Sequence, residues 1–279
     1  MPGSLPPALA SLCAAWLLLA PVPTAAVEAL RISGTGSALG AIRELIPAFT
    51  RANPGLTLKI LPSVGSGGAI QAVAAGAIDV GISGRPLRPA ELALGLTTVT
   101  YARTPFVFAV GPRVTARGLT PGELARIYRG ELTTWPDGER IRLVLRPGSD
   151  VDTTTVRAIS PELDAAMEEA LARDGLLMAA TNQDCNEALS RTPGSLGPTT
   201  LGQLQTEVHS LRPLAWNGVD PTVANLASGA YPLAKALHAV VRTPVSAPVR
   251  RFLDFLGSAE GRQVLERTGN LPVPVPPKP

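Results

Sequence analysis

Leu30-Arg31-Ile32-Ser33-Gly34-Thr35-Gly36-Ser37 passes from a short strand pattern into a loop of small residues. Residues 38–52 follow with Leu39, Ile42, Leu45, Ile46 and Phe49 on one helical face. Strand, tight glycine turn and helix, in that order, is the unit from which α/β sheets are built. Leu56 to Leu61 repeats it, leading through Gly65-Ser66-Gly67-Gly68 into a helix with Ile70, Val73 and Ala77 inward. Asp79 to Ser83 and Phe106 to Val110 read as further strands, and Leu143 to Leu145 as another. Pro47 falls inside the first helical pattern and predicts a kink or an early end there.

Helix starts are marked downstream. Thr120-Pro121-Gly122-Glu123 is a capping box with proline at the first helical position, and Ser160-Pro161 opens a helix to about Arg173. Helices near 183–191, 221–228 and 246–267 and a strand near 237–241 complete the pattern, and the Pro-rich tail after Asn270 reads as a surface strap. The alternation predicts an α/β protein with mostly parallel sheets, whose ligands bind at the carboxyl ends of strands.

Four small-residue loops lie at such ends: Gly34–Ser37, Gly65–Gly68, Ser83-Gly84-Arg85 and Arg146-Pro147-Gly148-Ser149. The first two lead into helix N-termini, which carry unpaired N–H donors and a partial positive charge. Any one such turn also reads as a plain βα connection. Together they point to one small anion held by several loops.

With 279 residues, 45% hydrophobic residues and a formal charge of +3, the chain has an ample core and no basic run that would indicate nucleic acid. Residues 1–27 hold no Asp, Glu, Lys or Arg, and Ala8 to Ala20 form an apolar run of signal-peptide length. Thr24, Ala25 and Ala26 offer a cleavage site, so residues 1–26 are expected to be an export signal. Cys13 sits inside that run and does not fit a lipid anchor. Cleavage would leave Cys185 as an incidental thiol with no disulfide partner.

Enzyme motifs fail on inspection. Gly34-Thr35-Gly36 is spaced one residue too far from Gly40 for a dinucleotide fingerprint, and no acidic residue follows the next strand. Gly81-Ile82-Ser83-Gly84-Arg85 misses the nucleophile-elbow pattern at its last position. His209 and His238, the two histidines, lie in no metal or base motif. Neither catalysis nor a metal or other cofactor is expected.

Taken in order, these loops resemble the phosphate-type periplasmic solute-binding proteins of ABC transporters. The likeness runs from about Ile32 to about Val241 and includes Asp79-Val80-Gly81-Ile82-Ser83 and the Leu119–Tyr128 helix leading to Trp135-Pro136-Asp137. Arg146 with its Ser/Thr loop, Thr192-Pro193-Gly194-Ser195-Leu196-Gly197 and Tyr231-Pro232-Leu233 continue it. The resemblance implies a two-lobed periplasmic-binding-protein-like fold of type II. Two strand crossovers, near Phe106–Val110 and Tyr231–Val241, would form its hinge. Lobe 1 would comprise 27–105 and 232–279, and lobe 2 106–231.

Carried over by position, the resemblance implies backbone contacts to the anion from Ser37 and Ala38. Ser66, Gly67 and Ser83 would follow from the next two loops, with Arg146 as the charge and Ser149, Thr153, Thr154 or Thr155 as hydroxyl donors. A tetrahedral oxyanion needs many converging donors, and an arginine fork adds charge-assisted bonds. Thr153 and Thr154 read equally as helix N-caps, and Arg146 as a surface or salt-bridged residue. Trp135 and Tyr231 read as packing residues.

Two departures bear on the ligand. Gly84 stands where the phosphate binders commonly carry an Asp that accepts the ligand's proton, and Arg85 beside it either adds positive charge or is solvated. Asp150 and Asp152 lengthen the arginine loop. Facing an anion, each would repel it by about 1–4 kcal/mol in a surface-like dielectric, unless it points outward. The expected function is capture of a small oxyanion, phosphate first, outside the cytoplasm for an ABC permease, by a monomer. Sulfate, molybdate or tungstate, or a sensor or scaffold role on the same fold, stay open.

Overall fold

The computed structural model describes residues 27–208 and 210–274. The expected export signal, its cleavage site and Cys13, together with His209, lie outside the described residues.

The chain runs β1 (Glu28–Gly34), α1 (Gly36–Ala52), β2 (Leu56–Ile60), α2 (Gly65–Ala74), β3 (Val80–Ser83), α3 (Pro89–Leu92) and β4 (Leu96–Val110). It continues through β5 (Gly118–Leu119), α4 (Pro121–Arg129), β6 (Arg142–Leu145), α5 (Val151–Arg157), α6 (Pro161–Ala172), β7 (Leu177–Met178) and α7 (Asn182–Arg191). Then come β8 (Ser195–Thr200), α8 (Leu201–Thr206), β9 (Arg212–Pro213), β10 (Ala215–Trp216), α9 (Val223–Ala227) and β11 (Ala234–Arg242). The helices α10 (Ala247–Gly257) and α11 (Ala259–Arg267) and the strand β12 (Leu271–Pro272) close the described chain.

The main sheet has the order β2-β1-β3-β11-β4-β8-β6-β7. It is mixed rather than mostly parallel. The β1–β2, β1–β3, β6–β8 and β6–β7 pairs are parallel, as strand–helix units require. Every antiparallel pair involves β4 or β11, the two crossover strands. β4 pairs with β11 as far as Pro105 and with β8 from Phe106 onward. Pro105 has no N–H to give a ladder, so a partner change is where its loss costs least.

Each half of the sheet is covered on both faces. Leu30, Ile32, Val80, Ile82, Leu237 and Ala239 pack under α1, α10 and α11, while Val240 turns to the opposite face with Ile70 and Val73 of α2. Phe49 of α1 meets Phe252 and Phe255 of α10 edge-on, with centroids 5.8 and 5.4 Å apart. Beyond the switch, Phe106, Phe108, Leu143 and Leu145 pack under α4 and α6, and Ala109 and Val144 face Cys185 and Leu189 of α7. The strands' period of two sorts these faces.

Pro47 neither ends nor shortens α1, which runs the full length from Gly36 to Ala52. The residue is exposed, as are Arg43 and Glu44. The carbonyl it leaves unpaired four residues earlier lies on the solvent side. The capping box at Thr120–Glu123 forms with both its bonds, and Ser160 caps α6. The strap expected beyond Asn270 begins as a strand, since Leu271 and Pro272 pair with β4. Among the described residues no helix is long and apolar enough to cross a membrane.

Candidate functional site

Glycine brings the first and third loops together. A Cβ on Gly34 would lie 2.0 Å from the backbone oxygen of Ile82, a distance no side chain tolerates. That approach lets Thr35 N–H donate to Ile82 O at 2.9 Å and places the start of α1 beside the end of β3. The N-cap residues of α1 and α2, Thr35 and Val64, make no side-chain cap bond, and neither first turn holds an acid. Both helices therefore present uncapped, uncompensated positive ends. Gly84 N–H donates to the Ser66 hydroxyl at 2.9 Å, tying the second loop to the third.

The arginine loop comes from the other half of the sheet. Arg146 follows β6 and is 2% exposed. One terminal nitrogen donates to Ala179 O at 2.6 Å and the other to Asp150 Oδ2 at 2.8 Å. Its Nε is buried without a protein partner. Asp150, rather than Thr153 or Thr154, caps α5, its Oδ1 accepting from Asp152 N–H at 2.8 Å. Helix α5 thus starts before the threonines, and the Thr153 hydroxyl turns back to Arg146 O at 3.0 Å.

Asp152 points inward and is 0% exposed, against the outward orientation left open above. Its Oδ1 forms an ion pair with Lys235 Nζ on β11, and its Oδ2 accepts from Asn182 Nδ2 at 2.6 Å. Thr35 donates to Asn182 Oδ1 at 3.2 Å and shares a 2.8 Å bond with the Ser37 hydroxyl. Lys235 is 2% exposed and lies over Gly84, where an added Cβ would sit 2.4 Å from Lys235 Cε. One polar chain thus links Ser37, Thr35, Asn182, Asp152 and Lys235, while the Lys235 stem packs over Gly84, whose N–H meets Ser66. Each cation has its own carboxylate: Arg146 with Asp150, Lys235 with Asp152.

Of the residues singled out from sequence, Ser37, Ala38, Ser66, Ser83, Arg146 and Thr153 are buried around this chain of contacts. The Ala38 N–H bonds back to Thr35 O at 3.2 Å, and the Ser83 hydroxyl donates to Arg85 O at 2.7 Å. Gly67, Ser149 and Thr154 are exposed, and the Thr154 and Thr155 hydroxyls bond to Val151 O. Helical geometry turns every third or fourth residue to one face, so only Thr153 of the three threonines reaches the interior.

Arg85 turns away from the cleft. Its guanidinium grips Glu91 with two 2.7 Å bonds and also reaches Pro86 O. Those bonds hold the Glu91 carboxyl down at about 2. The charge expected at the anion site is a structural brace of the loop before α3.

Sequence reasoning missed Thr35, Asn182, Lys235 and the inward role of Asp152. Lys235 had a signal, being the one charge in Ala234–Val241, an otherwise apolar run apart from His238. Asn182 opens α7 behind the Thr181–Asp184 capping box and looked like an ordinary first-turn residue. Cys185 lies close by, where burial pushes its thiol up to about 12, so it stays protonated. Among the described residues no group of three His, Cys, Asp or Glu side chains is placed to hold a metal ion.

A family model described as a PBP superfamily domain matches residues 20–260. Phosphate-binding protein PstS of Borreliella burgdorferi is 26% identical over 200 residues, covering 69% of this chain and 71% of the relative. The protein of the same name from Bacillus subtilis is 24% identical over 251 residues, covering 88% and 80%. A solved phosphate ABC transporter substrate-binding protein from Clostridium perfringens, with bound phosphate, has a TM-score of 0.75. Its identity is 19%, and the match covers 88% of this chain and all of that one (100%). An ABC-type phosphate transport receptor from Vibrio cholerae has a TM-score of 0.61 at 20% identity, covering 87% and 99%. Uncapped helix ends, a buried arginine and crossover strands between two α/β lobes thus coincide with a family match over most of the chain, which belongs to the PBP superfamily.

Proposed function

We propose that this protein binds a small tetrahedral oxyanion, phosphate first, between its two lobes outside the cytoplasm and delivers it as a monomer to an ABC permease. The observation that carries this reading is Arg146, a buried guanidinium whose Nε has no protein partner, in a chain whose helices α1 and α2 both begin without a side-chain cap. A buried N–H without an acceptor costs roughly 1–3 kcal/mol, and an anion in the cleft removes that cost. The names of the relatives, phosphate-binding protein PstS in two species, support phosphate over other oxyanions.

Ser37, Ser66, Ser83 and Thr153 line the proposed pocket, with Arg146 as its charge. The partner switch of β4 between Pro105 and Phe106 supports lobes made of 27–105 with 232–279 and of 106–231. An anion touching both lobes would favour their closed arrangement, because it adds contacts only there. The charge-free stretch 1–26 supports export. Calorimetric titration of the purified protein with phosphate, sulfate, molybdate and tungstate tests the proposal. Heat of binding from phosphate is expected, and no binding of any of the four anions would overturn it.

A further inference from the structure

A groove of about 370 Å³ opens where α4 and the loop after it meet β6 and β7, and the oxyanion reading makes no use of it. Ile127, Leu132, Leu143, Leu176 and Leu177 give it an apolar lining. Arg140, Arg142 and Arg173 also line it, and no carboxylate does. Their chain neighbours Glu131, Glu139 and Asp174 lie outside the lining. The groove is at the N-terminal end of β6, which begins at Arg142, whereas Arg146 follows its C-terminal end. At the usual rise those two arginines are about 13 Å apart along the strand.

The charge around this groove is only partly matched. Arg173 donates from Nη2 to Tyr128 O at 2.6 Å, closing the C-terminal turn of α4, and its Nε is buried with no partner. Gly130, left-handed at φ 79°, makes room for it, since a Cβ there would fall 2.2 Å from Arg173 Nη1. Arg142 uses one nitrogen on Glu139 Oε1 at 3.0 Å and on Pro193 O at 2.8 Å. Arg140 is exposed and meets no carboxylate among the described residues. Elsewhere on this half of the protein Arg129, Arg157 and Arg191 each meet one. Two arginines without an acid, beside aliphatic surface, set this groove apart.

We propose that the groove is a second binding site, separate from the oxyanion cleft, for a small organic anion: a carboxylate carried on an apolar body. The free guanidinium of Arg140 offers a planar fork that matches a carboxylate with two parallel charge-assisted bonds. Arg173, bound only to a carbonyl, adds uncompensated positive charge. The volume lies at the lower end of the range for small-molecule sites, which are mostly apolar with a few placed polar groups. Inorganic phosphate or sulfate would meet the arginines and leave the leucines wet. Each methylene buried against them tightens binding by about fourfold.

Calorimetric titration near neutral pH with sodium octanoate, 1-octanol and sodium acetate tests this. Octanoate is expected to bind at least about tenfold more tightly than either control, since it alone brings both charge and chain. Arg140→Ala removes the fork at an exposed position, so the melting temperature should hold while octanoate weakens by roughly 10- to 100-fold. Leu177→Glu, on a residue 44% exposed, sets a carboxylate at the groove and is expected to weaken octanoate likewise. Inorganic phosphate added at fixed ionic strength is expected to leave octanoate binding unchanged, because the cleft lies at the other end of β6. Octanoate no tighter than acetate or octanol, unchanged octanoate affinity in Arg140→Ala, or displacement of octanoate by phosphate would overturn the inference.

Discussion

Replacing Arg146 with methionine separates its two tasks. In the fold, Arg146 satisfies Ala179 O, on a residue 5% exposed, and pairs with Asp150, whose side chain is 21% exposed. The carboxylate can rehydrate and keeps its capping bond to Asp152 N–H, so its loss is small. The buried carbonyl cannot, and an unsatisfied acceptor costs roughly 1–3 kcal/mol. For a chain of this size that lowers the melting temperature by about 2–12 °C, a folded protein at room temperature. Toward the ligand the loss is larger. Nε and one remaining terminal N–H would give two charge-assisted bonds of about 1.5–3 kcal/mol each. Together they correspond to a rise in Kd of roughly 10²- to 10⁴-fold. Calorimetry with phosphate, alongside a thermal melt, measures both quantities on one preparation. A folded Arg146→Met protein binding phosphate within about threefold of the parent, a difference under ~1 kcal/mol, would refute the placement of the anion at this guanidinium.

Other expectations concern residues outside the cleft. Glu91, held at about 2 by Arg85 in the folded protein against an ordinary 4.5, adds stability that is fully present above pH 4.5 and is lost as pH falls toward 2. Acid denaturation of Glu91→Gln should therefore start from a lower stability and fall less steeply between those limits, and an identical acid limb would count against the Arg85–Glu91 brace. Phe49→Ala should cost about 3–5 kcal/mol by chemical denaturation, because the ring packs on Phe252 and Phe255 with no exposure of its own; a loss below ~1 kcal/mol would show that α1 is not anchored there. Cys185 in the folded protein should resist iodoacetamide at pH 8 and react only after unfolding, given its burial and raised pKa. Rapid labelling of the native protein would contradict that environment.

Much of the scaffold could be read from local pattern. The helical face of residues 38–52, the Thr120 and Ser160 caps and the strands β1, β2, β3 and β6 all follow from periodicity and turn chemistry within a few residues. β8 could not be read this way. Ser195-Leu196-Gly197-Pro198-Thr199-Thr200 has turn-like composition, yet it is buried at every position because β4 and β6 flank it on both sides. Only pairing across long sequence separations makes it a strand. The site divides along the same line. Loop positions such as Ser37, Ser66 and Arg146 were visible because a turn type and a following helix fix them. Partner choice was not, because Arg85 meets Glu91 and Asp152 meets Lys235 through tertiary geometry that no period encodes. Thr153 and Thr154 differ in burial by one step of a helix whose start was displaced to Asp150.

The strand β4 has a consequence for how the molecule comes apart. Its fifteen residues extend about 50 Å at the usual rise and pair with β11 and β12 on one side of the partner switch and with β8 and β9 on the other. Neither lobe can melt without stripping hydrogen bonds from a strand the other still holds. Heat or denaturant should therefore meet one cooperative transition instead of two, with the slowest amide exchange along Val99–Val110, where both halves of the protein share a single backbone.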